Sequence, residues 1–519
     1  MEIEFKFQIP QARLPALEAD MLAGGARYTP LRARYFDTPG GALGQHGVVL
    51  RLRQEGAGWV QTAKAMVPAK GLLHRLEHNF ALQPEHSGAS MAPDVQRHAG
   101  TRVGKRIAKI LKQDGASLVE TFATDISRLS CIQQLGQTKL ELALDVGKVM
   151  SKAGDQAAGQ YRESLVCELE LELVEGELAD LVSLAARWSQ RHGLWLSTLS
   201  KAERGERLMS GVAATAVKAQ PPDFSDVKEE GLSAALVQRR VLSACLAQVL
   251  PNAGEVASGN EDPETVHQLR IGLRRLRTAL RALEDLARPA KAAGGMDQGS
   301  DFESLNAPAL TQAFRVLGAH REQHLMLDEL LPKLRHAGAP AMAWPQPSAA
   351  LPCVAEVLRA EAFQTALVGL VGFASSEVPP SGEADVRQAS PIATLRKRLD
   401  KLFRQIVRDG QGFEGLAADA QHRVRKRLKR LRYLSEFVGP LFGDKAAKRF
   451  VEQLAPAQEA LGALNDDTVA VEALRKVAAT DPNAWFAVGW LTAGQAGKIA
   501  ACNLALTRLA EVSPFWRKT

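Results

Sequence analysis

The hydrophobic period of this chain changes once, near residue 210, and that change restricts the possible folds more than any other feature. Up to about residue 200 the pattern is one of short alternating runs, among them "RARYFDT", "VVLRLRQ", "WVQTAKA", "TKLELALDVGKV" and "LVCELELELV", set apart by Gly, Pro, Asn and Asp turn signals. Alternation puts every second side chain on one face, so these runs predict antiparallel strands closing into a barrel. Helical patches interrupt them at "QARLPALEADMLA", "TRVGKRIAKILKQ" and "ELADLVSLAARWSQRHG". Beyond the small-residue and proline stretch "GVAATAVKAQPPDFSD", apolar residues fall at helical spacing and strand signals nearly vanish. The expected organisation is multidomain: residues 1–209 an antiparallel β-domain with flanking helices, 210–228 a linker, and 229–519 an all-α helical bundle. Low-complexity loops such as "RPAKAAGGMDQGSD", "GAPAMAWPQPSAALP" and "SSEVPPSGEADVRQASP" break up the helical half.

With 519 residues, 46% of them hydrophobic, the chain is too long for one ordinary core. No apolar run approaches the roughly 20 residues that a membrane span needs. The N-terminus enters a charged strand at once, without the basic-then-apolar order of a signal peptide, so a cytoplasmic protein without a membrane partner is expected. The five cysteines (Cys131, Cys167, Cys245, Cys353 and Cys502) are odd in number, scattered and without a C-x-x-C pair, which predicts reduced thiols rather than disulfides or a zinc site. A net charge of +7 is modest for this length, so only the clustering of cations can point to an anionic partner.

The opening "MEIEFKF" places Glu2, Glu4 and Lys6 on one strand face and Ile3, Phe5 and Phe7 on the other. The same segregation recurs with Arg51 and Arg53, Thr62 and Lys64, Arg75 and Glu77, Glu141 and Asp145, and Glu168, Glu170 and Glu172. The bland reading makes these faces a polar barrel exterior. Against it, Leu140, Leu142 and Leu144, and Cys167, Leu169 and Leu171, form clean apolar faces that nearby helices can cover, which turns the charged faces into the lumen. Carboxylates are hard ligands for Mg²⁺ or Mn²⁺, and Arg and Lys pair with phosphate oxygens, so such a lumen suits a metal-bound polyphosphate.

The helical half contains a repeat. "VHQLRIGLRRLRTAL" from Val266 aligns without gaps on "QHRVRKRLKRLRYLS" from Gln421, pairing His267 with His422, Arg270 with Arg425, Arg274 with Lys429 and Arg277 with Arg432. In each copy these fall on one helical stripe, opposite the apolar stripe Leu269, Leu273 and Leu276, or Val424, Leu428 and Leu431. A weaker pair, "VLGAHREQH" and "ALGALNDDT", matches Gly318 with Gly462 and Glu322 with Asp466. The expectation is an internal pseudo-twofold, with the basic helices facing each other across one groove. The two histidines are open to either reading, capping and core residues or phosphate contacts. Arg396, Lys397, Arg398, Lys401 and Arg404 read as a solvated face.

"EIEFK" resembles the E-x-E-x-K signature of the CYTH superfamily, the triphosphate tunnel metalloenzymes. The later marks follow in order: "YFDT", "LRLR", "TAK", "RLE", Arg128, "LD" at Leu144 and Asp145, "ELELE" from Glu168, and "SK" at Ser200 and Lys201. The resemblance covers roughly the first 209 residues and implies an eight-stranded tunnel barrel acting on triphosphates with Mg²⁺ or Mn²⁺. It implies metal ligation by Glu2, Glu4, Asp145, Glu168 and Glu170, and substrate binding by Arg51, Arg53, Lys64, Arg75 and Arg128. Catalytic roles are implied for Glu2, Glu4, Lys6 and Lys201, with Glu77 and Glu172 in reserve. The helical half resembles the CHAD domain through both H-x-x-R helices and "LNDD". It departs from that pattern at "LGAHREQH", where Glu322 and His324 stand at the acidic positions. This second resemblance implies binding of inorganic polyphosphate, or polyphosphate granules, by His267, Arg270, Arg274, Arg277, His422, Arg425, Lys429 and Arg432. The function expected is metal-dependent hydrolysis of inorganic triphosphate to pyrophosphate and phosphate, beside a polyphosphate-binding half. The alternatives are a non-catalytic polyphosphate scaffold and an enzyme acting on an organic triphosphate (a nucleoside or thiamine triphosphate, or adenylate cyclisation). Nucleic acid is not expected, since the arginine stripes lack interleaved aromatics.

Overall fold

A computed structural model describes residues 2–56, 58–66, 73–82, 92–152, 161–228, 231–286, 305, 307–345, 351–378 and 390–517. The chain divides into two compact units. The first comprises Met1–Lys218, Leu246–Leu269 and Ala355–Glu377; the second comprises Ala219–Cys245, Arg270–Val354 and Val378–Thr519.

The first unit is built on nine strands: β1 (Glu2–Gln8), β2 (Arg27–Asp37), β3 (Val48–Glu55), β4 (Gly58–Met66), β5 (His74–Leu82), β6 (Val119–Leu135), β7 (Thr138–Lys152), β8 (Tyr161–Glu175) and β9 (Trp195–Leu196). They form one antiparallel sheet in the order β5-β4-β3-β2-β6-β7-β8-β1-β9. One edge of β1 pairs with β8. The other is divided, with Glu2 and Ile3 on β5 and Phe7 and Gln8 on β9. The eight-stranded ring is thus joined by a two-residue ladder and is not continuously closed, because β9 takes the rest of the edge that a longer β5 contact would need. The expected apolar faces do point outward. Val48, Leu50, Ala63 and Ala65 pack under α3 (Arg102–Asp114), against Val103, Ile107 and Ile110. The expected helices are present as α1 (Leu14–Ala23), α3 and α4 (Leu178–His192), and a short α2 (Ala42–Gln45) follows "YFDT". Asp37 of that motif organises the turn, its carboxylate accepting from the backbone N–H groups of Leu43 at 2.8 Å and Gly44 at 2.9 Å.

The helix α5 (Lys201–Ser210) packs against lumen residues of the sheet. Ser200 is its N-cap, accepting from the Glu203 N–H. Ala202 packs with Leu31, Ala33, Tyr35 and Ile126, so part of the interior wall made by β2 and β6 is apolar. Gly205 lies so close to Phe122 that a Cβ there would stand 2.3 Å from the ring. Chain segments far away in sequence complete this unit. The buried Gln364 of α11 (Glu361–Ser375) accepts from the Leu196 N–H at 2.9 Å and so satisfies the outer edge of β9.

Among the described residues, the second unit is helical. Its sequence draws on α6 (Ala234–Ala257) and α7 (Pro263–Leu283), which also enter the first unit. It continues with α8 (Pro308–His324), a π-turn at Leu325–Leu330, α9 (Leu331–His336), α12 (Pro391–Gly410), α13 (Ala418–Val438), α14 (Asp444–Gln453), α15 (Ala455–Ala478) and α16 (Ala484–Ala510), while α10 (Val354–Arg359) belongs to the first unit except for Val354. The predicted core stripes are buried: Leu273, Leu276, Val424, Leu428 and Leu431 are each 1% exposed or less. The expected 210–228 linker is held to the helices by the Asn252 side chain, which accepts from the Val217 N–H and donates to its carbonyl. Much of the three predicted low-complexity loops lies outside the described residues. No helix among the described residues is long and apolar enough to cross a membrane.

Gly205→Ala should destabilise the protein by about 1–3 kcal/mol, since the new methyl must move a buried ring that is itself stacked on Tyr35. Chemical denaturation measures it, with Gly494→Ala as the control, because a Cβ there meets nothing within 4 Å. Equal midpoints for the two variants would refute the tight seat of α5.

Candidate functional site

Cross-strand register arranges the lumen in layers. In one, Glu168 lies opposite Asp145 and Asp145 opposite Arg128; in the next, Lys6 lies opposite Glu170; in the third, Glu4 lies opposite Glu172 and Glu172 opposite Glu141. Because successive β8 residues alternate in direction, the three glutamates of "ELELE" all face inward. Together with β3, β4 and α5 these strands line a cavity of about 1120 Å³.

The first two layers and α5 make a dense ionic cluster. Lys201 reaches Asp145 at 2.6 Å, Glu168 at 2.5 Å and Glu170 at 3.0 Å. Lys6 meets Glu168 at 3.2 Å and Glu170 at 3.0 Å. Arg128 grips Asp145 with two 2.7 Å hydrogen bonds and extends one of 2.7 Å to Glu170. Burial disfavours the charge on Lys6, Lys201, Arg128, Asp145 and Glu170, yet the opposite charges win. Lys6 and Lys201 are held above the usual ammonium range by Glu168 and Glu170. Glu170 stays well below the carboxylate range beside Lys201, Lys6 and Arg128, and Asp145 is lowered by Lys201 and Arg128. Ligand oxygens of Asp145, Glu168 and Glu170 lie within 4.8 Å of one another. Glu168 Oε2 is buried with no hydrogen-bond partner among the described residues. An all-carboxylate donor set with an unsatisfied buried oxygen fits a hard divalent cation.

Arg51, Arg53 and Lys64 line the same cavity from β3 and β4. Arg51 donates to the Tyr35 hydroxyl at 3.5 Å, and Lys64 pairs with Glu77 at 2.7 Å. Burial pushes the Arg53 guanidinium down, and the nearby Arg51 adds to the effect. The side chains of Glu2 and Arg75 lie outside the described residues. The acidic layer of Glu4, Glu141 and Glu172 has fewer cations near it. Burial, then Glu141 and Glu4, raise the Glu172 carboxyl to about 7. Glu141 and Tyr35 are cavity residues that the sequence showed only as a strand-face member and a motif mark. Glu206 of α5 also lines the cavity, although nothing in its helical run marked it.

In the second unit cations of the two basic stripes lie within electrostatic reach of one another. Lys429 is lowered to about 7 by burial and by the repulsion of Arg274, Arg425 and Arg270, which places cations of both copies in one region. The matched acids stand as aligned, Glu322 acting electrostatically on Arg270 and Asp466 on Arg425. Asn465 of "LNDD" accepts from Arg425 and contacts His422 Nδ1, each at 3.1 Å. His422 is exposed, and His267 belongs to the first compact unit. In the first copy the expected departure takes the form of the π-turn following His324, which pairs with Asp328.

An antiparallel ring lined by carboxylates and cations defines the class of fold. Comparison with known families gives the particular one: residues 1–205 match the CYTH domain and residues 240–475 the CHAD domain, so the chain carries a CYTH domain followed by a CHAD domain. The inorganic triphosphatase of Haemophilus influenzae is 29% identical over 178 residues, which are 34% of this chain and 45% of that protein. The match thus spans under half the length of that relative. The solved CHAD domain of the plant Ricinus communis is 23% identical, with a TM-score of 0.41 over 58% of this chain and 96% of that one. A Hippeastrum protein, described as a candidate adenylyl cyclase with a dominant triphosphatase activity, is 19% identical, with a TM-score of 0.28 over 41% of this chain and 98% of that one.

Glu172 provides a pH test of the acidic layer. Its carboxyl titrates at about 7 rather than at 4.5, so the protonated form contributes stability below about pH 4.5 that is lost as the pH rises through 7. Glu172→Gln, which mimics the protonated state, should therefore match the wild type near pH 4.5 and unfold at higher denaturant than the wild type at pH 8, in chelator. A lower midpoint for the variant at pH 8 contradicts this reading.

Proposed function

We propose that the first unit hydrolyses inorganic triphosphate to pyrophosphate and phosphate with a divalent metal, and that the second unit binds inorganic polyphosphate. The observation that carries the first half is one cavity lined both by Asp145 and Glu170, which cluster with the buried Glu168, and by Arg51, Arg53 and Lys64. A linear triphosphate is a match for the cationic residues, and its charge needs no base or ring pocket to be recognised. Glu168, Glu170 and Asp145, with Glu4 beside them, would hold the Mg²⁺ or Mn²⁺ ion. Such an ion neutralises phosphate charge and acidifies water when bound. Arg51, Arg53 and Lys64 fix the phosphate oxygens and keep the chain in line. Lys6 and Lys201, placed among the same carboxylates, would neutralise charge on the transferring and leaving phosphates. Glu172, titrating near neutrality, is the carboxyl on the acidic side able to accept a proton from water at pH 7.

A second reading has its own observation. The same cavity is also lined by Leu196, Val217, Leu246, Leu250, Pro251 and Val371, apolar surface that an organic group attached to a triphosphate would cover. A phosphate-release panel with the full chain decides between them, using inorganic triphosphate, ATP, thiamine triphosphate, pyrophosphate and long polyphosphate, with and without chelator. Inorganic triphosphate should give the highest kcat/KM, and chelator should abolish turnover. Glu170→Gln should lower kcat by about 100-fold or more, and Lys201→Ala by at least about tenfold. Full turnover in excess chelator, or by Glu170→Gln, overturns the metal mechanism, and no turnover of any of these substrates leaves the barrel as a binding module. Preference for ATP or thiamine triphosphate establishes the organic reading.

For the helical unit, Arg274→Glu with Lys429→Glu should weaken binding of long-chain polyphosphate by at least about tenfold, and the wild-type affinity should fall steeply with salt as counterions are released. Competition at fixed ionic strength identifies the ligand, since polyphosphate should displace DNA and DNA should not displace polyphosphate.

A further inference from the structure

The two copies of the basic repeat match in sequence but hold their cations differently. In the first copy Arg270, Arg274 and Arg277 all stand over one ring, that of Phe314, at 5.7, 5.2 and 4.9 Å from its centroid. None of the three side chains has a hydrogen-bond or ion-pair partner among the described residues; a buried Nε without a partner is found at Arg270 and Arg277 and also at Arg425 of the second copy, so the difference lies in the terminal guanidinium nitrogens. The match of Gly318 with Gly462 aligns Phe314 with Gln458. Gln458 makes the opposite kind of contact: its amide oxygen accepts from Arg432, the equivalent of Arg277, at 2.8 Å, and Glu436 accepts from the same guanidinium at 2.7 Å. Arg425, the equivalent of Arg270, donates to Asn465 and lies 3.8 Å from Asp466.

An aromatic face attracts a guanidinium without using its in-plane N–H donors, whereas a carboxylate or amide consumes them. We propose that the groove is functionally unequal: Phe314 is a positioning residue that fans Arg270, Arg274 and Arg277 with their donors free for an anion, while Arg425 and Arg432 are committed to the protein's own acceptors. Phosphate oxygens of a polyphosphate chain are then bound by the first copy together with Lys429, which has no partner of its own among the described residues. The inference rests on the polyphosphate reading and narrows it to one side of the apparent twofold. The crowding that lowers Lys429 has the same meaning, since mutual repulsion among unneutralised cations is what an incoming anion relieves.

The test compares equivalent substitutions in the full chain, reading the affinity for long-chain inorganic polyphosphate at fixed salt and the thermal midpoint. Arg277→Gln should weaken binding by about tenfold, and its equivalent Arg432→Gln by no more than about twofold. Phe314→Gln, which installs the residue of the second copy, should weaken binding by about tenfold and reduce the salt slope, whereas Phe314→Tyr, which keeps the ring, should restore both. Equal losses for Arg277→Gln and Arg432→Gln, or unchanged binding by Phe314→Gln, overturn the asymmetry while leaving the polyphosphate reading intact. Should Phe314→Gln lose its fold, the arginine pair alone decides. A wild-type protein that does not bind polyphosphate removes both.

Discussion

The first unit depends on balancing charge inside a ring of strands. Asp145, Glu168 and Glu170 carry three negative charges, and Lys6, Lys201 and Arg128 return three positive ones at contact distance. Removing one partner from such a cluster strands a buried charge, which is far more costly than losing a surface pair. The balance also constrains what can enter. A divalent cation alone leaves the cluster over-neutralised, and a polyanion alone cannot approach the carboxylates, so the two are best tolerated together. Binding of metal and phosphate should therefore be coupled through electrostatics, with no change of fold required.

Helix α5 links that balance to the packing around it. Ser200 caps the helix, Lys201 at its first turn enters the ionic cluster, and Ala202 and Gly205 seat it against the apolar side of the lumen. Phe122, pressed by Gly205, stacks on Tyr35, whose hydroxyl accepts from Arg51. A short run of sequence thus sets the position of an ammonium directly and of a guanidinium three contacts away. The "SK" and "YFDT" marks, far apart in the chain, belong to one packed assembly.

Much of this was legible in the sequence because the physics is periodic. Strand alternation placed Lys6, Arg51, Arg53, Lys64, Asp145 and Glu170 on the cavity side, and the gapless repeat placed Lys429 among the arginines of the other copy. What stayed hidden depends on contacts that periodicity does not encode. Alternation cannot tell that α5 would fill part of the lumen, so Leu31, Ala33 and Tyr35 face inward where charge was expected. It cannot tell that Lys6 and Lys201 would share the same carboxylates, because their separation of 195 positions is bridged only by the fold. Nor does the alignment of Phe314 with Gln458 announce itself, since those two positions are dissimilar and acquire meaning only from the arginines above them.

The seam between β1 and β5 has a practical consequence. Glu2 and Ile3 are the residues whose backbone joins the two ends of the strand ring. Any peptide fused ahead of Glu2 begins at that junction, where a bulky or strongly hydrogen-bonding tag competes for the β5 edge with the two residues that, among the described residues, pair it with β1. Purification handles and reporters are better attached after Thr519, where the last described turn, Phe515–Arg517, is anchored by Arg517 on Asp400.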